Sequence, residues 1–217
     1  MRSITAVTLF LFTVLGATAS HATYTWTPLD HPGASSTALY AIDGANMVGY
    51  YADGSGTHGT HYNGSTWTTL DHPSATHTYL YGIDGANMVG YYTDSSGAHG
   101  TLYDGSSWTP LDHPSATSTR LYGIDGANMV GFYADSSGGV HGTHYDGSTW
   151  TTLDHPSATH TYLLGIDGAN MVGNYLDSSL NAHGFMVTAT SPVPEPAAIL
   201  LALFGLALLP RSRRRSG

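Results

Sequence analysis

The segment Ile-Asp-Gly-Ala-Asn-Met-Val-Gly occurs four times, at residues 42–49, 83–90, 124–131 and 166–173. Two other features keep the same spacing of 41, 41 and 42 residues. One is a tryptophan, which occurs as Trp26, Trp67, Trp108 and Trp150. The other is the segment Leu-Asp-His-Pro, which occurs at residues 29–32, 70–73, 111–114 and 153–156. A fixed period of this length indicates a repeat architecture, in which each copy forms one small structural unit.

Each repeat contains the pattern of four short β-strands. In residues 78–111 the predicted strands are 78–84, 87–93, 99–103 and 108–111. Glycine-containing turns separate the first strand from the second and the third from the fourth; the latter turn carries the Asp-Gly hairpin signal at 104–105. Pro114 has no backbone N–H to donate to a sheet, so it ends the unit.

Four antiparallel strands in about 41 residues is the size of a propeller blade. Residues 24–29 match a fourth strand without its first three, and the last repeat has three predicted strands (161–167, 170–176 and 183–188) without a fourth. We therefore predict an all-β, four-bladed β-propeller over residues 23–190, closed by pairing of 24–29 with the last blade. The alternative is an open β-solenoid or ribbon of hairpins, which would not require the two incomplete ends to match.

The two ends of the chain differ from the repeats. Residues 1–22 have the pattern of a signal peptide, with Arg2, an apolar core over 4–16 and small residues at 19–22. Residues 191–217 contain an apolar stretch, 197–209, that is predicted to form a hydrophobic helix although it is shorter than the roughly 20 residues of a full membrane span. The flanking elements are a Pro-Glu-Pro motif and a basic cluster, namely Pro194, Glu195 and Pro196, and Arg211, Arg213, Arg214 and Arg215. By the positive-inside rule the arginines stay cytoplasmic, so the repeats lie outside.

This C-terminal arrangement resembles the PEP-CTERM sorting signal of Gram-negative bacteria. The resemblance implies an exosortase-type membrane enzyme as a partner, processing near the Pro-Glu-Pro motif, and a host that makes exopolysaccharide. A plain C-terminal membrane anchor is the alternative. The repeats resemble the HAF family of extracellular repeats, with the best match at His183-Gly184-Phe185; earlier copies, such as 58–60, have Gly-Thr where the family has Ala-Phe. That family is not tied to a catalytic activity.

The composition limits the classes of partner. The chain has no cysteine or lysine, and residues 23–190 contain Arg120 as the one basic side chain against fourteen aspartates, a net charge of −13 with histidine neutral. Such a surface excludes nucleic acid as a partner and could attract cations or basic partners.

Aspartate–histidine pairs recur once per repeat and are the candidate ligand-binding residues. They are Asp30 and His31, Asp71 and His72, Asp112 and His113, and Asp154 and His155. A second histidine also recurs, at His58, His99, His141 and His183. These residue types can bind metal or move protons, but once-per-repeat recurrence favours a structural role. No EF-hand spacing is present; we predict no cofactor, with calcium left open and the metal site unknown.

In a propeller, loops 71–78 and 94–97 and their copies would share a face, which we predict to bind a hydroxyl-rich or cationic ligand. Tyr79, Tyr81 and Tyr122 lie nearby and either stack on sugar rings or pack between blades. The copies differ mainly at three positions, which form no evident active site: Tyr50/Tyr91/Phe132/Asn174, Ala38/Tyr79/Arg120/Tyr162 and Tyr40/Tyr81/Tyr122/Leu164.

No hydrolase motif or phosphate-binding loop is present, so no catalytic residue is predicted. The sequence therefore indicates a non-catalytic, exported repeat protein at the cell surface or in the extracellular matrix, associated with exopolysaccharide or biofilm. The membrane is a partner only through the C-terminal helix, before processing. The alternatives are a carbohydrate-binding module and a secreted hydrolase that uses Asp and His.

Overall fold

The computed structural model describes residues 24–190, and these contain fifteen β-strands. The strands group by repeat into four units. Unit 1 contains β1 (Ser36–Asp43), β2 (Asn46–Ala52), β3 (Thr57–Tyr62) and β4 (Trp67–Thr69). Unit 2 contains β5 (His77–Asp84), β6 (Asn87–Thr93), β7 (Ala98–Tyr103) and β8 (Trp108–Pro110). Unit 3 contains β9 (Ser118–Asp125), β10 (Asn128–Ala134), β11 (Val140–Tyr145) and β12 (Trp150–Thr152). Unit 4 contains β13 (His160–Asp167), β14 (Asn170–Leu176) and β15 (Ala182–Thr188).

Within each unit, strands that follow one another in sequence pair antiparallel. Units 1 and 2 are separate four-stranded sheets, whereas units 3 and 4 join into one seven-stranded sheet through a parallel contact between Val140 and His160. The predicted all-β class is therefore confirmed for the described residues, and the strands predicted over 78–111 lie within one residue of those observed.

Short turns bring the strands of a unit together. Between β5 and β6 the chain reverses through Gly85 and Ala86, and Gly85 has a φ of 58°, which suits the first central position of a type II′ hairpin turn. Between β7 and β8 the Asp104 carboxylate accepts hydrogen bonds from the backbone N–H groups of Ser106 (2.8 Å) and Ser107 (2.7 Å). This aspartate turn fixes the hairpin without help from the core.

The hydrophobic core lies between the units. Val48 of unit 1 is fully buried against Leu80, Ile83 and Met88 of unit 2. Val89 of unit 2 and Val130 of unit 3 make the same contact with the unit that follows each of them. We call each such interface a junction. Since every junction repeats the same side chains, the angle between successive units is set by one packing solution used three times.

The predicted closure of a ring by residues 24–29 is not confirmed. These residues form no strand, and the Trp26 side chain is 92% exposed. Unit 4 has no fourth strand in the described part of the chain, so β15 is a sheet edge. The physical reason is geometric, because the three junctions leave the outer faces of units 1 and 4 uncovered: Ile42 is 63% exposed and Val172 is 49% exposed.

A close approach between the first two strands of each unit gives a test of this packing. A Cβ atom on Gly90 would overlap the backbone carbonyl oxygen of Tyr79. We expect Gly90→Ala to lower the free energy of unfolding by about 1–3 kcal/mol, the usual range for overpacking. Gly54→Ala is the control, since its Cβ would meet open space. Urea denaturation measures both, and equal midpoints for the two variants would contradict the assigned packing.

Candidate functional site

A hydrogen-bonded polar cluster repeats at one end of the units. In unit 2, His99 Nδ1–H donates to Asp112 (2.8 Å), and His99 Nε2 lies 2.8 Å from the Ser96 hydroxyl and 3.3 Å from Asp94 Oδ1. The second oxygen of Asp112 accepts from the backbone N–H of Gly100 (3.0 Å). The cluster therefore ties the loop after β6 to the segment after β8.

The same cluster is present in units 1 and 3 and incomplete in unit 4. His58 Nδ1 lies 2.7 Å from Asp71, and His141 Nδ1 lies 2.7 Å from Asp154. His183 contacts Asp177 through Nε2 at 3.1 Å, and no carboxylate contacts its Nδ1 in the described residues. The predicted shared face is thus formed, but its aspartates and second histidines are largely occupied with each other.

The histidines of Leu-Asp-His-Pro pack inside the units. The His72 ring stacks on Tyr92, with ring centroids 3.7 Å apart and planes 7° apart, and meets Trp108 edge-on at 5.5 Å. Its backbone N–H donates to the buried Thr78 hydroxyl at 3.0 Å. His113 has the matching contacts with Tyr133 and Trp150. Both rings are at most 8% exposed, so they hold the fourth strand against the unit.

The remaining candidate residues occupy the ends. His31 and His155 stack on Tyr51 and Tyr175, both at 3.7 Å, but each is more exposed than His72. Asp30 lies exposed on the N-terminal segment. A role in ligand binding for the aspartate–histidine pairs stays a prediction. Across residues 24–190, no group of three or more His, Asp or Glu side chains is arranged to hold a metal ion.

Environment separates the two histidine classes by pKa. The hydrogen bond with Asp112 raises the pKa of His99, against the opposing effect of burial, and Asp154 does the same for His141. Burial lowers the pKa of His72 and His113. Consistent with a neutral ring, His72 Nδ1 accepts from the backbone N–H of Ser74 at 3.3 Å.

A different set of residues forms a concave surface along the inner strands. The three positions at which the repeats differ converge there, because the first strand of each unit carries two of them and the second strand carries the third on the same face. We call this the inner surface; it contains Tyr40, Tyr50, Tyr79, Tyr81, Tyr91, Arg120, Tyr122, Phe132, Tyr162, Leu164 and Asn174.

The inner surface surrounds a cavity of about 300 Å³ to which all four units contribute. Its lining residues are Tyr40, Tyr81, Tyr122 and Leu164, one from each first strand. The rings of Tyr40 and Tyr81 are 4.7 Å apart, and those of Tyr81 and Tyr122 are 4.5 Å apart. These distances are typical of aromatic packing, so the tyrosines contact their neighbours in adjacent units and also face the cavity.

A second layer supports this cavity. Tyr79 stacks on Tyr91 at 4.7 Å, and the Arg120 guanidinium lies 4.9 Å above the Tyr91 ring and 5.8 Å from the Phe132 ring. The one basic side chain of the described region is thus held by cation–π contacts between units 2 and 3.

Four tyrosines of the inner surface, Tyr50, Tyr81, Tyr91 and Tyr122, have raised pKa values, so their hydroxyls stay protonated at physiological pH. Burial raises the pKa of Tyr122 to about 12 and that of Tyr81 further. Tyr40 and Tyr50 share a hydrogen bond at 3.0 Å, which raises the pKa of Tyr50. Each hydroxyl can therefore donate and accept one or more hydrogen bonds beside an apolar ring. The sequence analysis singled out Tyr79, Tyr81 and Tyr122 as aromatic candidates, and it indicated the other positions only through variation between copies.

The sorting motif at 194–196 and the arginines at 211–215 lie outside the described residues. Within residues 24–190, no helix is long and apolar enough to cross a membrane.

No family model matches the chain, and no curated protein does. Among solved structures, the Aleuria aurantia lectin in complex with α-methyl-L-fucoside is 14% identical, with a TM-score of 0.46 over 70% of this chain and 57% of the lectin. The same lectin with Fucα1-6GlcNAc is also 14% identical, with a TM-score of 0.46 over 70% of this chain and 58% of the lectin. The SapL1 lectin with α-methyl fucoside is 14% identical, with a TM-score of 0.41 over 73% of this chain and 69% of the lectin. The chain thus spans under two thirds of the Aleuria lectin.

The histidine assignments can be tested by titration. We expect NMR titration of the ring C–H signals to place His99 and His141 above the ordinary value of about 6.5, and His72 and His113 below it. Asp112→Asn should lower the pKa of His99 while keeping an acceptor for the Gly100 amide. Asp104→Asn, which alters a turn that His99 does not contact, is the control. A single common pKa for all four rings would contradict the structure.

The same shifts have opposite consequences for stability. His99 and His141 stabilise the fold below pH 6.5 or so, and that contribution is lost as the pH rises through their raised pKa values. His72 and His113 stabilise it above that pH, and their contribution is lost as the pH falls through their lowered pKa values.

Proposed function

We propose that this chain is an exported, non-catalytic repeat protein whose inner surface binds a neutral saccharide, with the four units arranged as blades of an open β-propeller. One observation carries the proposal: the positions at which otherwise near-identical repeats differ meet on one concave surface. The residues that are the same in every repeat build the scaffold. The residues that differ lie on the inner surface, where a bound ligand would make different contacts with different units.

The chemistry of the inner surface suits a sugar. A pyranose presents apolar C–H groups on its faces and hydroxyls around its rim. Tyr40, Tyr81 and Tyr122 present ring surface to a cavity of about 300 Å³, and the hydroxyls of Tyr81 and Tyr122 are protonated. A concave, mostly apolar pocket with a few polar groups is the usual form of a small-ligand site.

Charge favours a neutral ligand over an acidic one. Residues 23–190 carry a net charge of −13, which repels polyanions at low ionic strength. The Arg120 guanidinium, which would attract an anion, is already engaged with Tyr91 and Phe132.

For location, we propose export through the signal peptide at 1–22 and sorting through the tail at 191–217. The C-terminal helix would hold the chain in the membrane until an exosortase-type enzyme processes it near Pro194-Glu195-Pro196. The repeat domain would then reach the cell surface or the extracellular matrix, in contact with exopolysaccharide or biofilm. The support is the order of motif, apolar stretch and arginine cluster in the sequence.

The inner surface can be tested with a substitution that the chain already contains. Leucine stands in unit 4 where tyrosine stands in the other units, so Tyr81→Leu and Tyr122→Leu should be accommodated. We expect each to weaken binding of the host exopolysaccharide, and of neutral oligosaccharides prepared from it, by about three- to tenfold, as loss of one aromatic contact predicts. Calorimetric titration measures the affinity.

The matched control for this test is His61→Leu. It makes a comparable replacement on β3, away from the cavity, at a position where unit 2 already has Leu102. Equal affinity of Tyr81→Leu, Tyr122→Leu and the unaltered protein would overturn the assignment of the inner surface.

The sorting proposal has its own test. Replacing Pro194, Glu195 and Pro196 by alanine should leave the protein in the membrane fraction of the source organism, because the processing enzyme loses its motif. Replacing Ser191, Pro192 and Val193 by alanine is the control. Fractionation and immunoblotting measure the distribution, and unchanged release of the alanine-substituted motif would refute the proposal.

A further inference from the structure

Each junction between units depends on contacts whose two halves lie on opposite faces of a unit. The outer face of unit 4 therefore carries one set of unused halves, and unit 1 with the segment before it carries the other set. Two kinds of contact join neighbouring units, and two more join a fourth strand to its own unit; all four are incomplete at the ends of the chain.

The first contact is apolar. Val48, Val89 and Val130 are completely buried by the following unit, whereas the equivalent Val172 is 49% exposed. On the receiving side, Ile83 and Ile124 are 9% exposed, whereas the equivalent Ile42 is 63% exposed. Unit 4 thus exposes the valine side of a junction, and unit 1 exposes the isoleucine side.

The second contact is a hydrogen bond between turns. Asp43, Asp84 and Asp125 each accept from the backbone N–H of a glycine in the next unit, at 2.8, 2.6 and 2.6 Å. The end positions are Asp167 in unit 4 and Gly44 in unit 1. Neither makes this bond within residues 24–190.

The third contact is the missing fourth strand. The backbone N–H of Leu70, Leu111 and Leu153 donates to a glycine carbonyl on the third strand of the same unit, each at 2.8 Å. The matching glycine in unit 4 is Gly184, which has open space where the others meet a leucine carbonyl. Beside it lies an apolar cavity of about 260 Å³, lined by Leu153, Asp154, His155, Pro156, Phe185, Met186 and Val187.

The fourth contact is the aspartate of the polar cluster. His58, His99 and His141 each bind the aspartate that follows a fourth strand, at 2.7 to 2.8 Å. His183 lacks that partner among the described residues. The repeat spacing identifies the equivalent residue as Asp30, directly after the segment 24–29.

The segment that would supply these missing parts is present in the chain and unused. Residues 26–32, Trp-Thr-Pro-Leu-Asp-His-Pro, are identical to residues 108–114, which include strand β8 and its cluster aspartate. Trp26 is 92% exposed, and residues 24–29 form no strand.

We propose that residues 24–30 of a second copy add to β15 as the fourth strand of unit 4, while unit 1 of that copy covers Val172. A second copy is the occupant because, within one chain, β1 and β13 lack the close contact that the first strands of neighbouring units make, and residues 24–29 form no strand. The result is a head-to-tail interface, which generates a closed ring or a filament of copies. The interface is the fourth junction, with the same contacts as the other three.

Cysteine pairing tests the register. The equivalent pairs His61–Thr68 and His144–Thr151 place Thr27 opposite Met186. The chain has no native cysteine, so Thr27→Cys and Met186→Cys can be made in separate full-length proteins, exported, purified in mild detergent and mixed under oxidising conditions. Directly opposed residues of paired strands satisfy the geometry of a disulfide.

We expect a covalent dimer on a non-reducing gel, and we expect Trp26→Ala added to the Thr27→Cys protein to reduce its yield. Thr151→Cys in place of Met186→Cys is the control. A chain carrying both Thr27→Cys and Met186→Cys should give a ladder of multimers. A cross-linked monomer from that chain would overturn the proposal in favour of closure within one chain, as would the absence of any dimer from the mixture.

A second test uses two blocked ends. Ile42→Asp places a carboxylate on the exposed face of unit 1, and Val172→Asp places one on the exposed face of unit 4; both positions are open enough to leave the fold intact. Each protein alone should lose association, because burying an unpaired charge is costly. Their equimolar mixture should form dimers and nothing larger, through the one intact junction.

Light scattering after size exclusion measures the masses. Thr151→Asp, which adds the same charge on the exposed strand β12, should associate like the unaltered chain. Masses that do not differ between Ile42→Asp, Val172→Asp and Thr151→Asp would overturn the proposal, because association would then depend on another part of the chain.

Discussion

The structure depends on one contact used three times: a valine of each unit buried against a leucine, an isoleucine and a methionine of the next. The buried apolar side chains form three clusters, and each cluster spans two successive units. This is the logic of repeat proteins, in which stability comes from interfaces between nearest neighbours. The outermost faces are then exposed unless something else covers them, and here they carry Ile42 and Val172.

Polar side chains hold the strands and loops of each unit together. The aspartate–histidine cluster ties the loops of one unit together, and the histidine of Leu-Asp-His-Pro stacks within the unit beside its tryptophan. These side chains have the composition of a metal site or a catalytic pair, but their recurrence in every unit matches their use as braces. These aspartates and histidines thus stabilise the scaffold, and the positions that vary lie on the inner surface.

The proposed function therefore rests on the positions at which the repeats vary. At the inner surface, unit 3 has Arg120 and Phe132, unit 4 has Leu164 and Asn174, and units 1 and 2 are richer in tyrosine. The shared cavity is lined by a tyrosine from each of units 1, 2 and 3 and by Leu164 from unit 4, although the backbone is nearly the same four times. The proposed saccharide binding and the proposed head-to-tail association use different surfaces, so the two proposals are compatible.

The sequence by itself determined the period, the strands of each repeat and their turns, because these depend on local patterns: alternation along strands, Asp-Gly hairpins and proline stops. It also showed that residues 24–29 match the fourth-strand sequence of the other repeats, and it predicted three strands for the last repeat. Tertiary structure alone decided that these two do not meet within one chain, since the angle at each junction is a property of packed side chains rather than of spacing. It also decided that the varying positions converge, because strands far apart in sequence share that surface only after the units have stacked.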